Sequence, residues 1–310
     1  MDKNIQTSGI FRKITVYSGI FAAAMGVLSL VGWFSKYIIL TNFGEPYKKL
    51  SPHGSIMLIV LGGLLILYEL YKQDKAVLRI IRYTAAAIAA IEAWSFIDFI
   101  SGTDLLFDEF VIYIFSGLTG RNIPPISPLA VAPALVAGCL FIILSLPAEK
   151  ARLKKITGAL SLAIFSTGSV IIIGYVYQTP LLYGSGIEPT ALPIGIGIFF
   201  IGLGLISAGP NVWPLNAMRG ESARSVLLRY ILPTVIVSVI ITDIAMVILT
   251  KRTNINPALL EAVNIISAVI LISIVIFRLS GIIGAAIKRA EMETQQAEKK
   301  LSVLVVFITC

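Results

Sequence analysis

The chain has 310 residues, of which 57% are hydrophobic and only 14% are charged, and its mean hydropathy is +0.90. A soluble domain needs more polar surface than this to cover its core, so the composition excludes a soluble globular protein and predicts an all-α integral membrane protein. The formal net charge of +8 does not require a nucleic-acid partner, because cytoplasmic Lys and Arg residues and their attraction to anionic lipid head groups explain it. We therefore expect the lipid bilayer as a partner, and no nucleic acid.

Eight apolar stretches are each long enough to cross about 30 Å of hydrocarbon as a helix. Three of them follow similar phrases, Ser51-Pro52, Ser127-Pro128 and Glu188-Pro189-Thr190, in which proline opens the first helical turn. This repetition predicts an eight-helix bundle in which the first six helices form three repeated helical hairpins and the last two form a final pair. The predicted spans are Ile14–Trp33, Ser55–Tyr71, Tyr83–Ile100, Leu129–Leu146, Ile156–Tyr175, Leu192–Ser207, Leu228–Leu249 and Leu260–Leu279.

The positions of Lys and Arg predict the orientation of these spans. With the N-terminus inside, only six of the 25 Lys and Arg residues fall in outer segments, and the other 19 fall in inner segments. Because positive residues are retained on the cytoplasmic side, we expect a multi-pass protein of the plasma membrane with both termini in the cytoplasm. The outer six are Lys36, Lys48, Lys49, Arg121, Lys251 and Arg252.

A charged helix is predicted to continue from the eighth span into the cytoplasm. Its apolar and small residues are spaced by alternating fours and threes, which is a heptad-like seam and favours pairing with a second copy in a homodimer. We therefore divide the chain into a six-helix membrane region at 1–210, an inner loop with the last two spans at 211–279, a signalling helix at 280–301 and an atypical tail at 302–310. A truncation, a frameshift or an artificial chain boundary would each explain the tail. The seam residues are Ile283, Ile287, Ala290, Thr294, Ala297 and Leu301.

Carboxylates inside apolar spans are candidate sensing residues, because burying an unpaired charge in lipid costs at least a few kcal/mol. Glu92 and Asp98 lie in the third predicted span, and Asp243 lies in the seventh. These residues favour either an intramembrane polar pocket that responds to protons or plain hydrogen bonds between helices.

The predicted outer segments supply the other candidates. Asp104 and Asp108 belong to a loop predicted at 101–121, which either lines the mouth of a ligand site or is simply solvated. Tyr175 and Tyr177, at the outer end of the fifth span, favour an interfacial belt or structural turn over a ligand pocket. His53, the only histidine, is interpreted as a surface or interface residue, with a pH sensor as the alternative. We expect no metal, cofactor or disulfide.

Four phrases between Gly174 and Pro233 carry a family resemblance. They are the GYVYQTPLLYG turn at 174–184, the Pro and Ala-Leu that follow it, AGPNVWPL at 208–215 and SARSVLLRYILP at 222–233. In these phrases, and more weakly over most of residues 20–300, the chain resembles the N-terminal multi-pass membrane sensor region of PAS-containing, often hybrid, sensor histidine kinases. The resemblance implies a sensory role and names no stimulus.

The expected function is therefore that of a membrane input region in two-component signal transduction. It would pass an unknown stimulus through its C-terminal helix to PAS or kinase domains of the same or a partner polypeptide. The chain carries no phospho-acceptor histidine box or ATP-binding motif, so we expect it not to be an enzyme itself. The alternative is a stand-alone transporter or permease, which the repeats and the intramembrane carboxylates would also suit.

Overall fold

The computed structural model describes residues 2–44, 48–101, 106–146, 151–176 and 189–209, with a few isolated positions after them. The chain divides into two compact units, Met1–Asn216 and Ala217–Cys310, and the helices with defined bounds belong to the first. These described segments are all-helical, with a short 3-10 turn at Ile38–Thr41. The helices are α1 (Asp2–Phe34), α2 (Pro52–Tyr71), α3 (Lys75–Ser101), α4 (Leu106–Thr119), α5 (Pro128–Leu144), α6 (Ala151–Val176) and α7 (Leu192–Ala208).

Four of these helices are long and apolar enough to cross a membrane. They are Gly9–Phe34 within α1, the whole of α2 and α3, and Ile156–Val176 within α6. α5 and α7 are also apolar but have 17 residues each, or about 26 Å of helix. The described residues are thus all-helical with four candidate membrane spans, in agreement with the predicted fold class, and each of the first six predicted spans overlaps one helix. The last two spans and the signalling helix lie outside the described ranges, so the total of eight stays a prediction.

The loop predicted at 101–121 is wrong, because residues 106–119 form α4. Asp108 and Glu109 in its first turn suit the positive end of a helix dipole. An exposed apolar stripe with helical spacing runs along α4 at Phe110, Tyr113, Ile114 and Leu118. The helical spacing of these apolar residues, rather than the charges of the segment, is the sequence signal for α4.

The starts of α2 and α5 follow their Ser-Pro sequences, whereas Pro189, which was predicted to lead the next span, lies before the start of α7 at Leu192. Ser51 precedes α2, and its Oγ accepts a hydrogen bond from the backbone N–H of Gly54 at 3.2 Å. α5 begins at Pro128 and α7 has Pro193 in its first turn. These three starts lie together, since Ser127 Oγ and Thr190 Oγ1 are 2.7 Å apart and one small cavity is lined by Ser51, Ser127 and Ala191. We call this end of the bundle the proline end.

The six long helices of the first unit pack in a cyclic pattern. α2, α5 and α7 contact one another at the centre. Around them α1 packs on α2 and α7, α3 on α5 and α2, and α6 on α7 and α5. Each outer helix therefore packs mainly on two of the three central helices.

The backbones of α1 and α2 approach each other closely. A Cβ built on Gly19 would lie 2.7 Å from the carbonyl oxygen of Gly62, and one built on Gly62 would lie 2.5 Å from the carbonyl oxygen of Gly19. Real Cβ atoms do not come so near, so only glycine fits at both positions. Small residues at such crossings let helices associate where lipid provides no hydrophobic driving force.

Candidate functional site

His53, the second residue of α2, lies buried between two carboxylates. Its Nε2 is 3.2 Å from Glu92 Oε1 on α3, and its Nδ1 is 3.3 Å from Asp108 Oδ1 on α4. Only 6% of His53 is exposed. One imidazole thus joins three helices at the proline end, and we refer to His53, Glu92 and Asp108 as the His53 cluster.

Burial increases along the cluster in one direction. The side chain of Asp108 is 17% exposed, that of His53 is 7% exposed and that of Glu92 is 2% exposed. Asp108 is consequently the member closest to solvent, and Glu92 is the deepest.

Asp108 also ties α4 to the segment that leads into α5. Its Oδ2 accepts a hydrogen bond from the backbone N–H of Ile126 at 3.0 Å, while Oδ1 faces His53. Both carboxyl oxygens are therefore engaged. This single side chain fixes the first turn of α4 against two other parts of the unit.

Glu92 uses only one of its oxygens in the described structure. Its Oε2 is buried and has no hydrogen-bond partner among the described residues, and the same holds for the hydroxyl of Ser95 three residues further along α3. Buried polar atoms are rarely left in this state, because the lost hydration costs about 1–3 kcal/mol. Oε2 of Glu92 is therefore chemically able to take up a proton or to accept a hydrogen bond from a small polar ligand.

Lys48, in the segment before α2, is the cation whose charge interacts with Asp108. Burial lowers the pKa of Lys48 to about 8, and the negative charge of Asp108 acts in the opposite direction. The positive charge of Lys48 thus depends on pH near the entrance of the cluster.

The far end of α4 is held by a different side chain. Arg121 donates from Nη1 to the carbonyl oxygens of Gly32 and Trp33, both at 3.2 Å, and from Nη2 to that of Ser35 at 2.9 Å. These carbonyls end α1, where a cation offsets the negative end of the helix dipole. α4 is therefore attached by a carboxylate and imidazole near its start and by a guanidinium just after its end.

The structure brings together Glu92 and Asp108 of the predicted site residues. Asp98 lies six residues beyond Glu92 on α3 and is half-buried. Tyr175 is buried, and its hydroxyl donates to the carbonyl oxygen of Thr190, so it braces the start of α7. The remaining candidates, Asp104, Tyr177 and Asp243, lie outside the described residues, as does the whole seam from Ile283 to Leu301.

The interpretation of His53 as a surface or interface residue is wrong. Its position next to Pro52 suggested the outer rim of a span, yet α3 continues nine residues beyond Glu92 to Ser101 and α4 covers the same end. The informative signal was the pairing of a lone histidine at a helix start with a carboxylate in the next helix. The sequence did not show how deeply α3 and α4 bury His53.

The cluster is better suited to protons than to a metal ion. Within the described ranges, no three His, Cys, Asp or Glu side chains converge as metal ligands. The reason is geometric, because the two ring nitrogens point in different directions and each faces its own carboxylate. The two carboxylates therefore cannot meet on one cation that His53 also binds.

The centre of the bundle has a different character. A small cavity among α2, α5, α6 and α7 is lined only by apolar side chains and proline. This cavity therefore offers no charged or hydroxyl side chain, in contrast to the His53 cluster. The lining residues are Met57, Leu58, Leu61, Pro133, Ala134, Ala137, Ile164, Ile198 and Ile201.

Comparison with protein-family models, curated proteins and solved structures finds no match to this chain.

Proposed function

We propose that the chain is the membrane input region of a two-component sensor kinase and that the His53 cluster is its sensing centre. The observation that carries this proposal is the buried imidazole held between Glu92 of α3 and Asp108 of α4. A charge change at this point alters contacts to three helices together. The resemblance of residues 174–233 to sensor histidine kinases supplies the signalling role.

The cluster suits a sensor because it connects an accessible element to the membrane helices. On the predicted orientation the proline end faces the outside, where α4 covers the start of α2. Asp108 on α4 communicates through His53 with Glu92, and α3 packs on both α2 and α5. A stimulus that changes the docking of α4 is therefore transmitted to two of the three hairpins.

The finer architecture belongs to the same proposal. Three duplicated hairpins account for the cyclic packing of α1, α3 and α6 around α2, α5 and α7. The charge distribution supports a cytoplasmic location for both termini. A final pair of spans and the signalling helix at 280–301 then form the output, which pairs in a homodimer and drives PAS or kinase domains.

A transporter is the second candidate, and Glu92 is the observation that favours it. A deeply buried carboxylate with an oxygen outside any described hydrogen bond is a feature of proton-coupled transport. The central cavity argues against it, because in the described bundle the space among α2, α5 and α7 has an apolar lining that offers a polar substrate no binding groups.

A reporter fusion tests the sensory role. Residues 1–301 are joined to the dimerisation and ATP-binding domains of a characterised histidine kinase, and reporter output is measured in cells. We expect His53→Gln and Glu92→Gln each to shift basal output by about fivefold or more, which is the lower range of allosteric coupling.

Glu69→Gln is the matched control for this fusion. Glu69 is also a buried carboxylate of the bundle, but it lies near the other end of α2 and pairs with Lys72 at 2.7 Å. If the two cluster variants and this control give the same output as the parent fusion, the cluster is not a sensing centre.

A further inference from the structure

We propose that the His53 cluster binds a proton from the outer medium, with Asp108 as the entry group, the imidazole of His53 as the relay and Glu92 as the inner acceptor. The proposal rests on the proposed function only for the orientation of the chain and for what the proton does to signalling. The binding step depends on the contacts of the three side chains alone.

The two contacts of the imidazole determine how many protons the cluster must hold. Each contact places a ring nitrogen within 3.3 Å of a carboxyl oxygen, and a hydrogen must lie between the two atoms to prevent repulsion of their lone pairs. A neutral imidazole has one N–H and two ionised carboxylates have none, so this state satisfies one contact only. Both contacts form when one more proton is bound, either as imidazolium between two carboxylates or as neutral imidazole beside one carboxylic acid.

Because burial increases from Asp108 through His53 to Glu92, the proton moves inward along these three residues. It arrives at Asp108, the most exposed member, and passes from Oδ1 to Nδ1 of His53. The N–H bond at Nε2 then breaks, and that second proton goes to Oε1 of Glu92. Asp108 is left ionised, His53 is left neutral with its proton on Nδ1, and Glu92 is left as a carboxylic acid, so protons and charges balance.

The other groups at this end do not compete for the proton. Among the described residues, Glu92 from α3 and Asp108 from α4 place charged groups against His53, and Lys48 acts on Asp108. α1 contributes the indole of Trp33 and the hydroxyl of Ser29, while Ser127 lies at the start of α5 and Thr190 just before α7. These four side chains carry no group that ionises in the accessible range, so the titratable groups named at this end are the three cluster members and Lys48, whose charge acts on Asp108.

Loss of the bound proton weakens one contact of His53 and therefore loosens the start of α4. As the outer pH rises, the cluster moves from two satisfied contacts to one. Arg121 keeps its charge throughout this range, so its hydrogen bonds to the end of α1 persist. Protons thus act as a ligand that docks the first turn of α4.

Nitrogen NMR of the single histidine tests the proposal directly. The full chain, purified without a polyhistidine tag and labelled with ¹⁵N in the imidazole ring, gives signals from His53 alone. In lipid nanodiscs we expect the ring nitrogen signals to change with pH, because the N–H lies on Nε2 in the proton-poor cluster and on Nδ1 once the proton has reached Glu92. Asp108→Asn and Glu92→Gln should each move the midpoint of this change to lower pH by about one unit or more. We also expect Asp108→Asn, but not Glu92→Gln, to slow exchange of the ring N–H protons with water.

Two further variants make the result decisive. Glu69→Gln should leave the midpoint unchanged, and Asp108→Glu, which keeps a carboxylate, should restore both the midpoint and the exchange rate. An identical midpoint in all variants that retain the parent thermal unfolding curve overturns the proposal, and so does a ring that stays neutral while both carboxylates are ionised.

The same measurement separates this proposal from the sensory role, because no kinase domain is present. A ring that titrates as described, in a chain whose kinase fusion ignores outer pH, supports the proton site and contradicts the role of the cluster in signalling. A fusion that responds to outer pH, in a chain whose ring signals do not change with pH, supports a sensory role and contradicts the proton site.

Discussion

The two attachments of α4 differ in chemistry although they secure one helix of 14 residues. Near its start, Asp108 reaches the imidazole of His53 and the backbone N–H of Ile126. Just after its end, Arg121 reaches three carbonyl oxygens around the end of α1. The first attachment depends on a titratable ring, whereas the second joins a permanent cation to neutral acceptors. A helix held in this way can loosen at one end in response to pH and remain attached at the other.

The largest effect is expected from Arg121→Ala, which removes the attachment that does not depend on pH. A hydrogen bond from a charged group contributes about 1.5–3 kcal/mol, so losing three of them frees the end of α4. Limited proteolysis at residues 115–124 should become faster at every pH. Arg82→Ala is the matched control, because Arg82 donates to Ser145 at the end of α5 in the same manner. Equal proteolysis of the two variants within α4 would contradict the separate role of Arg121.

Asp108→Asn should have the next largest effect, confined to the other end of the helix. The amide keeps the size of the side chain but loses the charge-assisted contact to His53, so we expect the first turn of α4 to exchange its amide hydrogens about tenfold faster, equivalent to about 1.4 kcal/mol. Glu109→Gln changes the adjacent exposed carboxylate and should leave exchange unchanged. Faster exchange along the whole of α4 in Asp108→Asn would show that the two attachments are not independent.

Lys48→Met should give the smallest effect and should appear only at alkaline pH. The pKa of Lys48 is lowered to about 8 from 10.5 by burial, so between these values the unfolded chain binds more protons than the folded one. The free energy of unfolding from this group therefore rises with pH across that window. Lys48→Met should flatten the alkaline part of the stability curve, and Lys49→Met, which alters the neighbouring lysine, should preserve it. Parallel curves for wild type and Lys48→Met would exclude this contribution.

Much of the fold could be predicted because membrane helices are encoded by length and apolarity. The spans in α1, α2, α3, α5, α6 and α7 follow from uninterrupted apolar runs, and the starts of α2 and α5 follow from Ser-Pro at 51–52 and 127–128. α4 could not be predicted in this way. Its apolar residues are interleaved with Asp108, Glu109 and Ser116. Only the helical spacing of the exposed apolar stripe indicates a helix there.

The candidate site was predictable only in part. Glu92 was recognisable because a carboxylate in an apolar span must have a partner or a function. Its partner was not, since His53 is 39 residues away in sequence and its contact depends on how far α3 extends beyond the first turn of α2. Local sequence defines which side chains are costly to bury, but tertiary packing decides which of them meet.

The most direct test of the account is amide hydrogen exchange along α4 in the full chain in nanodiscs, measured on both sides of the His53 titration and corrected for intrinsic rates. The account predicts that protection of the first turn around Asp108 falls as pH rises, while protection of the last turn before Arg121 stays constant. Asp108→Asn should remove the pH dependence of the first turn without affecting the last. Protection that is the same at both pH values, or that falls equally at both ends of α4, would contradict the claim that a proton in the His53 cluster holds this helix.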